Sequence, residues 1–123
     1  MTADMDGDGD SDVLSASYND GTIAWHENDG TPLEGVWPEH PITTVADRPT
    51  SLFPTDVDGD GDTDVVAASN LDYVVSWYEN DGTPAVGDWP EHPITETDSG
   101  ALSYVNKVYA ADMDNDGDMD LLA

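Results

Sequence analysis

A nine-residue acidic loop recurs three times, and this recurrence confines the chain to a repeat architecture. DMDGDGDSD at 4–12 returns as DVDGDGDTD at 56–64 and as DMDNDGDMD at 112–120. The first two copies lie 52 residues apart; at that offset Trp25 superposes on Trp77, Asn28 on Asn80, Trp37 on Trp89 and His40 on His92 without a gap. ENDGTPLEGVWPEHPIT at 27–43 matches ENDGTPAVGDWPEHPIT at 79–95 so closely that one structural unit must serve both. The third copy comes 56 residues after the second, with four extra residues between Thr95 and Asp112, and the sequence ends at Ala123 soon after its loop.

Each repeat reads as short strands. Residues 65–69 and 73–79 are brief runs rich in β-branched and aromatic residues joined by a tight turn at 70–72, and 13–18 and 22–27 do the same around Asn19-Asp20-Gly21, a strong hairpin signal. A further strand includes 41–44, with its counterpart at 93–96, and the prolines there favour a sheet edge. Another precedes the acidic loop, at 51–55 and again at 105–111. No segment carries a 3.6-residue apolar period over a helical length, so helix content should be near nil. Four strands in about fifty residues is the economy of a β-propeller blade. The expected fold is all-β, with antiparallel four-stranded blades: 1–47 a first blade lacking its first strand, 48–99 a second, and 100–123 the start of a third.

Charge gives the loops their chemistry. The chain has 28 acidic residues against Lys107 and Arg48, a net charge of −26. Such a surface repels phosphate backbones and anionic head groups, which disfavours nucleic acid and membrane partners. No run approaches a membrane span, there are no cysteines, and any export signal is expected to lie outside this sequence. The three loops hold 15 of the acidic residues: Asp4, Asp6, Asp8, Asp10 and Asp12; Asp56, Asp58, Asp60, Asp62 and Asp64; Asp112, Asp114, Asp116, Asp118 and Asp120. Like charges this close need a hard cation among them, and all-oxygen ligation suits Ca²⁺ better than a transition metal. Loop positions 1, 3, 5 and 9 are the expected side-chain ligands, with the backbone carbonyl at position 7 completing the set and its side chain pointing outward. Gly9, Gly61 and Gly117 stand at position 6, where the loop turns sharply and a Cβ should obstruct it. An EF-hand shares this opening, but its position-12 glutamate is replaced here by Ser15, Ala67 and Ala123, and strands follow instead of a helix.

The run ADMDGDGDSDVLSASYNDGTIAWHENDG at 3–30 resembles the FG-GAP or VCBS type of repeat, found in integrin α-subunit propellers and in many secreted bacterial proteins. The most specific part is the DxDxDGxxD loop followed by a strand and a W-x-E-N-D-G hairpin end. The resemblance implies a β-propeller with Ca²⁺ in the loop between the first two strands of a blade, held by the ligands named above. A propeller needs at least about four blades, whereas this chain holds about 2.4 repeats. Homo-oligomers are therefore expected, with 105–111 of one chain lending a strand to the N-terminal blade of another.

The aromatic residues have a simpler role. Trp25, Trp77, Trp37 and Trp89 are expected to pack blade against blade. His26, His40 and His92 lack zinc-ligand spacing and are expected to be structural. No nucleophile elbow or oxyanion loop is present. The favoured function is a non-catalytic, calcium-binding module that displays loops to a protein or glycan in an extracellular or periplasmic setting. The alternative is a fragment of a propeller-bearing secreted enzyme, a polysaccharide lyase or hydrolase, with its active site elsewhere; a piece of a longer array is the third possibility.

Overall fold

The computed structural model describes residues 1–71, 73–95 and 105–123. Among the described residues ten strands form three antiparallel sheets, and there is no helix. Sheet 1 orders β1 (Thr2–Ala3), β2 (Asp12–Ser17), β3 (Thr22–His26) and β4 (Glu39–Thr43) side by side in chain order. Sheet 2 repeats this with β5 (Pro49–Thr55), β6 (Asp64–Ser69), β7 (Val75–Tyr78) and β8 (Glu91–Pro93). β9 (Tyr109–Ala111) and β10 (Asp120–Leu122) pair as a third, two-stranded sheet. These are the antiparallel, blade-like sheets expected, and they do not close into a propeller.

The prolines behave as strand chemistry demands. Pro41, Pro93, Pro49 and Pro54 all lie in outer strands of their sheets, where a missing N–H breaks no ladder on the solvent side. The first hairpin turns through Gly21 at φ 73°, and Thr22 donates its N–H to Asp20 Oδ1 at 3.0 Å.

The strand pattern departs from expectation in a few places. A first blade lacking its first strand is predicted, yet sheet 1 keeps two residues of one: Ala3 lies opposite Asp12 and Thr2 opposite Val13. Two residues carry no hydrophobic pattern, so only the pairing reveals them. Of the strand expected at 105–111, Tyr109–Ala111 alone joins a ladder, its partner being β10 of the same chain. Val105 and Val108 are buried in the core instead. Asp72 of the second hairpin turn, Glu96 of the expected edge strand, the boundary at 99/100 and most of the four-residue insertion lie outside the described residues.

Two apolar layers hold the sheets together. The first joins sheet 1 to sheet 2 through Met5, Leu14, Ile23 and Trp25 on one side and Leu52, Val65, Ala67 and Tyr78 on the other. The second joins sheet 2 to the third sheet through Val66, Ala68 and Val75 against Val105 and Val108, with Trp77 and Leu121 at its margin. Alternation along β6 sends Val65 and Ala67 into one layer and Val66 and Ala68 into the other, which explains why this strand reads as a continuous apolar run.

Candidate metal centre

Every acidic loop joins the first two strands of its sheet, and strand register fixes both of its ends. Ala3 faces Asp12, Thr55 faces Asp64 and Ala111 faces Asp120. Inside the loop, the carboxylate at position 1 organises the turn. Asp4 accepts the Gly7 and Gly9 N–H groups at 2.8 and 3.0 Å, and Asp56 accepts those of Gly59 and Gly61 at 2.7 and 3.0 Å. Asp6 and Asp8 each accept the N–H two residues on, at 3.2 and 2.8 Å, which makes successive Asx-turns. Loop 3 retains this pattern through Asp112, Asp114 and Asp116.

These turns gather carboxylates. One oxygen each from Asp4, Asp6 and Asp8 in loop 1 lies within 4.8 Å of the others, as do those of Asp56, Asp58 and Asp64 in loop 2 and of Asp112, Asp114 and Asp120 in loop 3. Three of the four expected side-chain ligands thus converge in every loop; the fourth is Asp12, Asp60 or Asp116. An all-carboxylate donor set at this spacing fits a hard divalent cation such as Ca²⁺.

Burial, joined by the charges of Asp8, Asp12 and Glu27, pushes the Asp6 carboxyl above its ordinary range, against the pull of the Asp8 N–H. Burial likewise raises Asp64, with Asp58 and Asp60 adding to it, while the Asn80 and Val57 N–H groups pull it down. Carboxylates crowded without a counter-ion favour the proton; a cation among them favours the charged form.

Position 9 also bears structural weight. Asp12 and Asp64 are fully buried. Asp12 accepts the Met5 and Asn28 N–H groups, both at 2.8 Å, and Asp64 accepts those of Val57 and Asn80, also at 2.8 Å. This carboxylate therefore pins the loop's entrance to the W-x-E-N-D-G turn.

Two expectations about the loop need correcting. Position 6 requires glycine for its backbone, since Gly9, Gly61 and Gly117 have φ of 95°, 100° and 97°, while a Cβ there would meet open space. Position 7 does not point its side chain outward. The carboxylates of Asp10 and Asp62 fold over Gly30 and Gly82, so close that a Cβ on either glycine would sit 2.9 Å from an oxygen.

The asparagines of the turn are the part that loop spacing missed. Asn28 donates through Nδ2 to the Ser11 carbonyl at 3.2 Å and accepts the Gly30 N–H at 3.2 Å; Asn80 does the same with Thr63 and Gly82 at 3.2 and 3.1 Å. Their signal was present in the identical E-N-D-G of both repeats. Between loops 1 and 2 lies a polar cleft of about 190 Å³, lined in part by Asp4, Asp6, Asp62 and Asn80.

A family model for the FG-GAP-like repeat matches residues 4–67 and again residues 56–123. The chain belongs to the FG-GAP-like repeat family. No curated protein and no solved structure matches it. Each family match begins at the first aspartate of a loop and extends beyond the next, so the acidic loops fall at the unit boundaries of the FG-GAP-like repeat. Two of the three histidines take the structural part expected of them: His40 stacks on Trp25 with ring centroids 4.3 Å apart and pairs with Glu27 at 2.8 Å. His92 repeats this on Trp77 and Glu79, at 4.4 and 2.7 Å.

Proposed function

We propose that this chain is a non-catalytic repeat module whose three acidic loops bind Ca²⁺ and whose loop surface is displayed to a protein or glycan. The observation that carries the metal reading is the convergence of three carboxylate oxygens within 4.8 Å in every loop. The near-identity of the repeats supports display over catalysis, which needs one asymmetric constellation. Abundant calcium suits an extracellular or periplasmic setting. No helix among the described residues is long and apolar enough to cross a membrane.

The metal reading is tested by thermal unfolding in calcium and in chelator. A ligand that binds only the folded state at 100 times its Kd stabilises by about 2.7 kcal/mol per site. The melting temperature should fall sharply in chelator; an unchanged value overturns the reading. Turnover of a polysaccharide, lost on replacing an acidic residue outside the loops, would instead establish the enzyme alternative.

We further propose that the chain forms homo-oligomers. Thr2 and Ala3 pair with Val13 and Asp12, and Met1 exchanges backbone bonds with Leu14, so the outer edge of β2 is open to a strand from a second copy only beyond Leu14. Light scattering in calcium checks this, and a monodisperse monomer defeats it.

A further inference from the structure

Asn28 and Asn80 hold the same place in their repeats and make the same local bonds, yet Asn80 makes one more. Its Nδ2 also donates to the Met5 carbonyl of the preceding unit, at 3.3 Å and 75 residues away in sequence. Asn80 is 2 % exposed, and Met5, also 2 % exposed, anchors loop 1 in the core between sheets 1 and 2. Met5 stands between Asp4 and Asp6, two of the three converging carboxylates of loop 1. Its N–H is held by Asp12 of its own loop and its carbonyl by Asn80 of the next blade.

We infer that Asn80 is a positioning residue that couples the cation site of loop 1 to the docking of the second blade, so that the site of one unit is completed by its successor. The inference rests on the calcium reading above. The mechanism is local. With the two peptide groups that flank Met5 each clamped, one by Asp12 and one by Asn80, Asp4 and Asp6 are held at their converging positions before the ion arrives, and less ordering remains to oppose binding. Without Asn80, only the Asp4–Met5 peptide stays clamped, by Asp12 of its own loop. The coupling also has a direction: the amide bonds of Asn28 run to Ser11 and Gly30 within its own blade, so the first blade's asparagine has no such hold on loop 2.

Calcium titration of the whole chain tests this in two backgrounds. Asp58→Asn with Asp114→Asn leaves loop 1 intact, and Asp6→Asn with Asp114→Asn leaves loop 2. In the first background Asn80→Ala should weaken calcium binding about fivefold, the worth of one ordinary hydrogen bond. In the second, Asn28→Ala should change it less than about twofold. Asn80→Leu, which keeps the volume, lacks the amide donor and adds no charge, should reproduce the loop 1 loss if the alanine variant does not fold. Amide exchange in chelator is the metal-free readout: Met5 and Gly7 should exchange faster in either Asn80 variant than in the parent. Unchanged loop 1 affinity and exchange in the Asn80 variants overturn the coupling, as does an equal loss at loop 2 from Asn28→Ala. Should the parent bind no calcium, the metal reading fails by itself, and the exchange rates still decide whether Asn80 holds loop 1.

Discussion

Trp25 and Trp77 occupy the same position of the same motif and stack on equivalent histidines at nearly the same distance, but they are buried to different degrees. Trp25 is completely buried, its Nε1 donating to the Pro84 carbonyl of the turn between β7 and β8 at 3.4 Å, whereas Trp77 remains half-buried beside Val105, Val108 and Leu121. Trp89 shares that acceptor at 3.3 Å, so Pro84 serves a tryptophan from each blade. The difference lies in the neighbour: a full sheet covers Trp25, and a two-stranded one borders Trp77. The opposite faces carry the same lesson. Ala67 and Tyr78 of sheet 2 pack into the layer against sheet 1, while their counterparts on sheet 1 are Ser15 and His26, hydrogen-bonded to each other at 3.0 Å on a more exposed surface. Stability here belongs to pairs of units rather than to units alone.

The sharpest way to break this comparison is to truncate the two tryptophans. Trp25→Ala should cost about 3–5 kcal/mol in urea unfolding, the range for a large buried aromatic residue, and Trp77→Ala clearly less. Equal losses would show that the repeat, and not its neighbour, sets the burial.

The next effect concerns the carboxylates at position 9. Asp64→Asn in chelator turns an amide donor toward the Val57 or Asn80 N–H inside the core, and should cost about 1–3 kcal/mol, the penalty for an orphaned buried donor. Asp120→Asn should cost less, because Asp120 is exposed and water can replace its bond to the Met113 N–H. Chelator matters here, since it separates the structural role from metal ligation. If Asp120→Asn proves as costly as Asp64→Asn, burial is not what distinguishes the two loops.

Much of this was legible because it is local. The 52-residue period, the short β-branched and aromatic runs and the D-x-D-x-D-G turns are written in neighbouring residues, and they yielded the blades and the converging carboxylates. What escaped was decided between segments. The Thr2–Ala3 strand exists only by pairing with β2. Asp10 turns inward because Gly30, twenty residues on, leaves space for it. The extra bond of Asn80 depends on Met5 of another blade, so no comparison of the two E-N-D-G copies reveals it.

A smaller contrast lies between two glycines in the long turns. A Cβ on Gly87 would sit 2.6 Å from Thr83 Oγ1 and 2.9 Å from the Thr83 carbonyl oxygen, while one on Gly35 would meet Thr31 only at 3.8 Å and beyond. Gly87→Ala must displace backbone and should cost about 1–3 kcal/mol. Gly35→Ala should be neutral or stabilising by up to about 1 kcal/mol, through a less flexible unfolded chain. Matching melting temperatures for the two variants would show that the turns are alike in solution.

The smallest effect should show no difference at all, and for that reason it sharpens the comparison. Asp29 and Asp81 are exposed at equivalent turns, each held below the ordinary carboxylate range first by a hydroxyl, from Thr31 or Thr83, and then by that residue's N–H. A carboxyl lowered in the folded state contributes stability that is present above its unfolded value and lost as the pH falls through its folded one. Thr31→Val and Thr83→Val should each raise the adjacent aspartate toward its ordinary value, read by carboxyl carbon chemical shifts in a pH titration. Both shifts should be equal, because neither turn depends on a neighbouring blade for this bond. An unequal pair would mean that the influence of the successor unit reaches past the apolar layers and into the exposed turns.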